Sequence, residues 1–516
     1  MDELPDQTTD SDIGVGGSVT DSSRDRLAGA RRAGLFILAF GSGFAVLTIE
    51  IAGARLIAPV FGLSAVPWTA MIGVILAALA LGSHLGGRLA DGGTFPLSGV
   101  LVASAGTAAL PIVGNGLPWL ARDVLGFVPG ALVSATILFA PTVFCLGAVV
   151  PYLVQADTRS LGNVGRRAGD MSAAATAGSI AGTFMTGFVL LPVFPLPVLL
   201  VMTALGLLAL AALSGVILGK RVPPGVIVLV TLTLGVLGLA GTQPVPGMLH
   251  QQQTLYSSVS VTESVGRDDR IVRELWQNGG SSSAEFVDTG DPAHDYVDAS
   301  GLLLEPIIDR VRSMLVLGGA ALSLPTAFSH WRPDMRIDVV EIDPVVTELA
   351  EEFFTYGRNE YANIRVVHED ARVHLRNSDE RYDLIYLDIF DHLLTVPWTM
   401  VTVEALTEMA DHLRPNGLFV VNVLSPLAGP GQAFIERFQA TLHAVFPAWA
   451  IYPATPGRDA EATQNLIVIA GLEPLALPDV DWPTADTGPA GRPLTDAWAP
   501  VEYLQAKVFL TGLQWN

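Results

Sequence analysis

The first half of the chain consists of long apolar stretches separated by short polar connections. Seven such stretches follow one another, near 34–58, 67–88, 96–115, 128–153, 170–191, 195–219 and 223–243. Each has about the ~20 residues that a helix needs to cross the hydrocarbon core of a membrane. A buried soluble helical domain would rarely contain seven of them in succession. The pattern therefore predicts a multi-pass α-helical membrane domain of about seven spans over residues 34–245.

The pattern changes after residue 250. TLYSSVSVTES (254–264) and RIVRELWQNGG (270–280) alternate apolar and polar residues, which predicts a small β-hairpin domain over 250–300. Strands and helices then alternate, which predicts an α/β Rossmann-like domain of the methyltransferase type over 301–516. The predicted strands are 313–317, 337–342, 364–368, 383–388, 417–424 and 464–470, and the predicted helices are 321–330, 344–354, 399–413 and 431–443.

Composition narrows the class of protein. Of the 516 residues 50% are hydrophobic and only 15% are charged, which is low for a soluble domain. The formal net charge of −21 disfavours nucleic acid as a partner. Cys145 is the single cysteine, so no disulfide and no thiolate metal site forms within one chain, and no metal site is predicted. Residues 1–33 are polar and are predicted to be a disordered cytoplasmic tail.

The basic residues predict an orientation in the membrane. They concentrate in the N-terminal segment and in alternate connections: Arg24, Arg26, Arg31, Arg32, Arg88, Arg159, Arg166, Arg167, Lys220 and Arg221. By the positive-inside rule the N-terminus is cytoplasmic. Seven spans would put the C-terminal domain outside the cytoplasm, and the side on which this domain lies is left open.

Two features of the α/β part predict a nucleoside site. Gly318 and Gly319, in LVLGGAALSLP, lie where the first strand turns into a helix, and glycines there let the backbone approach a ligand. Glu341 ends the second strand in VVEIDP, and an acidic residue at about that spacing accepts hydrogen bonds from ribose hydroxyls. Either feature alone would also fit a tight turn or a solvated strand end. Together they favour nucleoside binding.

Three further carboxylates follow buried strands. Asp370, in VVHEDARVHL, is positioned to receive an adenine amino group. Asp388 and Asp391, in YDLIYLDIFD, lie at the carboxyl end of a central strand, which faces the ligand crevice of such a sheet. A carboxylate there can accept a proton or hold a cationic substrate. Asp391 could instead only cap a turn.

These motifs resemble a known family. LVLGG, DVVEIDPVVTELAEEFF, HEDARVHLR, YDLIYLDIFD and LRPNGLFVVNV are similar to the catalytic domain of spermidine synthase, the polyamine aminopropyltransferase. The closing segment 493–504 resembles the same family, and residues 49–91 resemble the transmembrane part of bacterial membrane-fused spermidine synthases. The resemblance extends over about residues 35–510.

The resemblance implies an activity and a set of roles. The family transfers an aminopropyl group from decarboxylated S-adenosylmethionine, a co-substrate, to putrescine, with no permanently bound cofactor. By resemblance Glu341 holds the ribose, Asp370 the adenine, and Asp388 is the base that deprotonates the attacking amine. Asp391 holds the diamine, and Tyr296 in AHDYVDAS lies on the substrate side. The implied partners are a polyamine, the lipid bilayer and a second copy of the chain, since the family commonly forms homodimers.

Three positions depart from the family pattern and keep a second hypothesis open. Ala321 stands where the family has an aspartate, and Ser257 and Val297 stand where it has glutamines. These changes favour a catalytically degenerate protein that binds or transports polyamines, whereas the retained carboxylates favour an enzyme. Methyl transfer is a weaker third hypothesis, because the hairpins and closing segment indicate aminopropyl transfer. Glu50, inside the first span, is predicted to pair with His84 or Arg88, or to lie on a polyamine path.

Overall fold

The computed structural model describes residues 18–62, 65–93, 95–158, 163–219, 222–241, 246–266, 269–358, 361–391, 395–429, 431–473 and 491–510. Its first half is helical. The helices are α1 Ser18–Phe61, α2 Ala65–Gly92, α3 Leu97–Thr107, α4 Leu110–Val113, α5 Leu117–Leu125, α6 Phe127–Leu138, α7 Ala140–Gly147, α8 Val149–Asp157, α9 Val164–Met185, α10 Leu191–Val193, α11 Leu196–Leu218 and α12 Pro224–Gly241. Helix α1 begins within the predicted tail, of which residues 1–17 lie outside the described part.

The number of helices that could cross a membrane differs from the predicted seven. Five described helical segments are long and apolar enough: Gly29–Phe61, Pro67–Gly92, Ala140–Asp157, Val164–Val193 and Leu196–Leu218. A sixth is obtained if Leu97–Val113 and Leu117–Leu125, bent by 67° to each other, count as one span. The predicted stretch 128–153 is broken, since Pro141 lacks the N–H that would continue α6. The apolar helix Pro224–Leu237 is shorter than a span requires. Seven spans are therefore not established.

Small residues bring the helices of this half together. A side chain at Gly178 of α9 would lie 1.9 Å from the carbonyl oxygen of Phe40 in α1, so these two backbones touch. The predicted ion pair of Glu50 is not formed: among the described residues Glu50 has no hydrogen bond or ion pair, and His84 and Arg88 are exposed. The prediction failed because the side chains of α2 at His84 and Arg88 point away from the bundle.

Salt bridges join three helix ends at one end of the bundle. Arg32 Nη2 lies 2.7 Å from Asp170 Oδ2, and Arg167 bonds the carboxylate of Asp157. Arg31 Nη2 donates to the carbonyl of Ala156 at 3.1 Å. The basic residues Arg159, Lys220 and Arg221 lie outside the described part of the chain. The start of α1, the end of α8 and the start of α9 thus share one side, as the arginine pattern requires.

A four-stranded antiparallel sheet follows the bundle, in the order β1-β2-β3-β4. Its strands are β1 Met248–Gln253, β2 Ser258–Val265, β3 Ile271–Gln277 and β4 Gly280–Phe286. Asn278 and Gly279, with φ of 49° and 82°, form the two-residue turn between β3 and β4. The predicted hairpin segment 254–264 covers all of β2 except Val265, and the segment 270–280 contains β3. Helix α13, Asp295–Ile308, then crosses the predicted domain boundary at residue 300.

The α/β part contains a seven-stranded sheet of order β10-β11-β9-β8-β5-β6-β7. Its strands are β5 Ser313–Leu317, β6 Arg336–Glu341, β7 Ile364–His368, β8 Tyr382–Leu387, β9 Leu413–Ser425, β10 Ala448–Pro453 and β11 Gln464–Gly471. The helices are α14 Ser323–Trp331, α15 Pro344–Phe353, α16 Thr355–Arg358, α17 Ala371–Asn377, α18 Val403–Asp411, α19 Ala433–Val445 and α20 Val501–Leu510. All six predicted strands are present, whereas β10, α16, α17 and α20 were not predicted.

The central strands explain why the site forms where it does. All residues of β5 are buried, and β5 pairs in parallel with β6 on one side and β8 on the other. Apolar clusters cover both faces of the sheet, as expected for parallel strands with helices on each side. The carboxyl ends of β5, β6 and β8 consequently meet at one edge of the sheet.

Arg372, in α17, fixes the C-terminal segment to this domain. The side chain is 6% exposed. Its guanidinium bonds Glu408 Oε2 at 2.7 Å and Asp496 Oδ2 at 2.9 Å, and also donates to the carbonyl of Thr399. Removing this group would leave Asp496 without this ion pair and Glu408 paired with Arg376 alone.

We therefore expect Arg372→Met to lower the free energy of unfolding by about 3 kcal/mol, because breaking a buried ion pair leaves uncompensated charge. Arg376→Met is the matched control. Arg376 bonds the same Glu408 at 3.0 Å but is exposed, so its loss should cost under about 1 kcal/mol. Denaturant unfolding followed by tryptophan fluorescence measures both values. Equal losses would contradict the role assigned to Arg372.

Candidate active site

A cavity of 1430 Å³ lies between the carboxyl edge of the seven-stranded sheet and the four-stranded sheet. All seven predicted site residues except Gly319 line it directly. Gly319 lies behind its wall, where a side chain would come within 2.9 Å of Val339. The volume exceeds that of a typical small-molecule site, which leaves room for a nucleoside and a second small molecule.

Gly318 lets the ends of β5 and β8 approach each other. Its φ is 97°, and a side chain there would lie 2.4 Å from the carbonyl oxygen of Asp388. The amide of Asp388 donates to the carbonyl of Leu317 at 2.8 Å. Only glycine combines this backbone conformation with this approach.

Glu341 holds the glycine turn. Its Oε2 accepts from the amides of Gly319 at 2.9 Å and Ala320 at 3.1 Å, and its Oε1 accepts from the amide of Asp343 at 3.0 Å. Burial raises the pKa of Glu341, and these three bonds act in the opposite direction. The carboxylate thus fixes the backbone around the cavity while also facing into it.

Asp370 has a structural role as well as a place in the cavity wall. Its Oδ1 accepts from the amide of Val373 at 2.9 Å and so caps the N-terminus of α17. The second carboxylate oxygen, which has no such bond to the helix, is available for a ligand.

Asp388 is held by two donors at the base of the cavity. The hydroxyl of Tyr296 donates to Oδ2 at 2.7 Å, and the amide of Asn422 donates to Oδ1 at 3.0 Å. Burial raises the pKa of Asp388 to about 6, although both bonds favour the charged form. Burial and the charge of Asp388 hold the pKa of Tyr296 well above its usual value, so Tyr296 remains a donor.

Asp391 lies at the rim of the cavity. Its amide donates to the carbonyl of Thr395 at 2.9 Å, and its own carbonyl accepts from Asn278 Nδ2 at 3.0 Å. Loss of surrounding water and, second to it, the charge of Glu502 raise the pKa of the Asp391 carboxyl to about 6. The backbone bonds explain the turn, and they leave the carboxylate itself directed to the cavity.

The cavity wall is strongly acidic and contains aromatic rings. The acidic residues that line it are Glu274, Asp295, Glu341, Asp343, Glu369, Asp370, Asp388, Asp391, Asp459 and Glu502, and the aromatic ones include Tyr256, Trp276, Tyr296 and Trp398. Arg458 is the single lysine or arginine among the lining residues. Carboxylates and aromatic faces both attract organic cations.

The sequence did not predict a series of hydrogen-bonded side chains in the cavity wall. Ser281 Oγ donates to Glu274 Oε1 at 2.9 Å and lies 3.1 Å from His294 Nε2. Burial lowers the pKa of His294 to about 4, so that the ring is neutral at pH 7. Alternation along β3 places Glu274 on one face of the strand, but no motif marked that face as the cavity. Asn422 was missed for the same reason.

The three positions that depart from the spermidine synthase pattern differ in their surroundings. Ala321 and Val297 are each 1% exposed and belong to the apolar cluster on one face of the sheet, away from the cavity. Ser257 lines the cavity, and its buried hydroxyl has no hydrogen-bond partner among the described residues. Only one of the three departures therefore changes the cavity wall. Within the described residues no group of three or more His, Cys, Asp or Glu side chains is arranged to hold a metal ion.

The strand order and the glycine turn define a Rossmann-like domain of the methyltransferase type. Residues 294–458 match the family model of the spermine/spermidine synthase domain. This region of the chain is therefore similar to the spermine/spermidine synthase domain.

Curated relatives agree with this assignment. The chain is 27% identical over 286 residues to the polyamine aminopropyltransferase of Vibrio vulnificus, covering 50% of this chain and 91% of that protein. It is 34% identical over 200 residues to the probable polyamine aminopropyl transferase of Bifidobacterium longum, covering 39% of this chain and 42% of that protein. It is also 28% identical over 148 residues to the eEF1A lysine and N-terminal methyltransferase of Danio rerio, covering 27% and 21% of the two chains.

Among solved structures, the chain is similar to a probable spermidine synthase from Corynebacterium glutamicum, with a TM-score of 0.38 and 21% identity. This match covers 44% of this chain and 81% of that one. It is also similar to human methyltransferase-like protein 13, with a TM-score of 0.29 and 21% identity over 43% of this chain and 93% of that one.

Proposed function

We propose that the protein is a membrane-bound aminopropyltransferase that moves the aminopropyl group of decarboxylated S-adenosylmethionine to putrescine or a related amine. The observation that carries this proposal is the state of Asp388. It is a buried carboxylate with a pKa of about 6, held by Tyr296 and Asn422 at the base of an acidic cavity. A base with that pKa is ionised at pH 7 and accepts a proton readily.

The donor occupies the side of the cavity formed by the glycine turn. Glu341 accepts hydrogen bonds from the ribose hydroxyls, and Asp370 accepts one from the adenine amino group. The donor carries a positive sulfonium, which the acidic wall attracts. The free oxygen of Asp370 and the position of Glu341 beside the glycine turn support these roles.

The reaction is a displacement at carbon. Asp388 accepts a proton from the attacking ammonium group of the diamine. The freed nitrogen attacks the propyl carbon bonded to sulfur, the carbon–sulfur bond breaks, and its electron pair stays on sulfur to give neutral 5′-methylthioadenosine. Asp391 at the rim holds the distal ammonium, while the hydroxyl of Tyr296 keeps the Asp388 carboxylate in one orientation. Positioning the two substrates in line supplies much of the rate enhancement.

A second candidate is a protein that binds or transports polyamines without transfer. The position of the domain favours it. The four-stranded sheet contacts the end of α1 that carries Arg55 and Pro59, opposite the end that carries Arg32. If the arginine-rich end is cytoplasmic, the cavity opens on the other side of the membrane, away from the usual source of the donor. Glu50, without a partner in the described residues, lies in the same helix.

Asp388→Asn should abolish transfer. The amide cannot accept the proton, and loss of a general base typically lowers the rate by at least about 100-fold. Product formation from putrescine and decarboxylated S-adenosylmethionine measures this in detergent-purified protein, with S-adenosylmethionine as the alternative donor. Asp411→Asn, an exposed carboxylate of α18, is the control and should leave the rate unchanged. Full activity of Asp388→Asn would refute the assignment of the base. Polyamine binding without turnover in the wild type would favour the second candidate.

The turnover rate should fall as the pH drops below about 6. Both Asp388 and Asp391 have pKa values raised to about 6, and each must be ionised, to accept the proton and to hold the ammonium respectively. One titrating group lowers the rate about tenfold per pH unit, and two lower it more steeply. The measurement is kcat from pH 5 to 8 at saturating substrates, in the wild type and in Asp391→Asn. The variant should show the shallower decline, and a rate independent of pH down to 5 would contradict the proposal.

We further propose that the protein lies in the cell membrane with a cytoplasmic N-terminus, and that the side of the C-terminal domain distinguishes the two candidates. The contact of Arg55 with Leu255, far from Arg32 along α1, favours the side opposite the N-terminus. A reporter fused after residue 516, active on one side of the membrane only, determines the side. A reporter outside the cytoplasm would favour binding or transport, and a cytoplasmic reporter would favour the enzyme.

A further inference from the structure

The last turns of α1 touch the wall of the cavity at two points. Arg55 Nη2 donates to the carbonyl of Leu255, in the turn between β1 and β2, at 3.0 Å. One turn further along α1, Pro59 meets the turn between β3 and β4. A side chain at Gly279 would lie 2.1 Å from the carbonyl oxygen of Pro59, so the two backbones are in direct contact. A helix of the apolar half therefore supports two loops that face the cavity.

The first contact leads to the nucleoside side of the cavity. The turn held by Arg55 contains Thr254, whose Oγ1 donates to Asp343 Oδ2 at 2.6 Å. The same oxygen accepts from the amide of Ser257, a cavity residue, at 2.9 Å. The amide of Asp343 in turn donates to Glu341 Oε1 at 3.0 Å. A continuous series of hydrogen bonds and backbone links thus joins Arg55 to the carboxylate that holds the glycine turn.

The charge of Arg55 also suits a residue that holds this turn in place. The guanidinium is half-buried, and the negative charge of Asp343 acts on it across the interface. Its Nη1 is buried and makes no hydrogen bond to the described residues. A cation enclosed in this way is costly unless an opposite charge compensates it. Asp343, 1% exposed, is a carboxylate that needs such compensation as well.

The second contact leads to the amine side. Asn278 precedes Gly279 in the turn that rests on Pro59. Its Nδ2 donates to the carbonyl of Asp391 at 3.0 Å, and its Oδ1 accepts from the amide of Ser258 at 3.0 Å. The end of α1 therefore supports the loop of the rim carboxylate through a path that is independent of Arg55.

We propose that Arg55 is a positioning residue for the nucleoside site, through which the apolar half controls the geometry of Glu341 and the glycine turn. Arg55 holds the Thr254–Ser257 turn in place, and this turn fixes Asp343 and hence Glu341. The inference rests on the proposed nucleoside site but not on aminopropyl transfer, because it concerns binding of the donor and not turnover.

Equilibrium binding to the full-length protein in detergent tests this inference, with decarboxylated S-adenosylmethionine and 5′-methylthioadenosine as probes. Arg55→Met should weaken the affinity for both about tenfold, the usual effect of losing one charge-assisted hydrogen bond. Arg55→Lys keeps the charge and one donor and should restore most of the affinity. Arg122→Met is the matched control, since Arg122 Nη1 donates to the carbonyl of Val60, at the same end of α1, at 2.8 Å. It should leave both affinities unchanged.

Thr254→Val interrupts the same path outside the apolar half and provides a second variant if Arg55→Met is poorly folded. It should weaken nucleoside binding by a similar factor. The double variant should bind no more weakly than either single one, because both act through one series of contacts. Putrescine affinity should remain within twofold throughout, whereas Asn278→Ala should weaken putrescine and leave the nucleosides unaffected.

The possible outcomes test separately whether the nucleoside site exists and whether Arg55 positions it. Wild-type protein that binds neither nucleoside would refute the nucleoside site, and the role of Arg55 with it. Wild-type protein that binds them, together with an Arg55→Met variant within twofold of it, would refute the role of Arg55 alone. Equal weakening by Arg122→Met would also overturn the inference, because it would show a general effect of destabilising the end of α1.

Discussion

The site depends on the close approach of two strand ends. The α-carbon of Gly318 lies against the carbonyl of Asp388, so the end of β5 and the end of β8 are joined without an intervening side chain. This contact has two consequences. It directs the amides of the following residues towards Glu341, and it fixes the backbone from which the Asp388 carboxylate projects. The contact between Gly318 and Asp388 therefore fixes the backbone on both sides of the cavity, the side of Glu341 and the side of Asp388.

The cost of this arrangement is the burial of carboxylates. Glu341 offsets the loss of water with three backbone amides, and Asp388 does so only with Tyr296 and Asn422. The difference appears in their chemistry. Glu341 has its acceptor capacity largely satisfied by the chain, which suits a group that holds structure and ligand. Burial raises the pKa of both groups, to about 6 for Asp388, whose two side-chain donors leave it suited to exchanging a proton. Two carboxylates on either side of β5 thus differ in their hydrogen-bond surroundings.

The sequence predicted the local features of this site and missed the distant ones. Strand bounds followed from buried runs such as that of β5, and Glu341 and Asp388 followed from their positions after such runs. Asn422, Glu274 and Arg55 reach the cavity only through the packing of separate elements, for which one sequence contains no signal. The span count differs for local reasons, since apolar composition shows neither the 67° bend between Leu97–Val113 and Leu117–Leu125 nor the shortness of the apolar helix Pro224–Leu237. The predicted partner of Glu50 failed because helix rotation is set by packing.

The contact between the two halves makes the protein more than a soluble domain with an anchor. With a flexible tether, the geometry of the cavity would not depend on the helical bundle. Here Arg55 and Pro59 of the bundle support the loops on either side of the cavity. Any movement of α1 relative to its neighbours would be transmitted to Thr254 on the nucleoside side and to Asn278 on the amine side. The salt bridges of Arg32 with Asp157 and Asp170 restrain the same helix towards its opposite end. Helix α1 is therefore the element through which a state of the bundle would change ligand affinity in the cavity, and occupancy of the cavity would, by linkage, favour one state of the bundle.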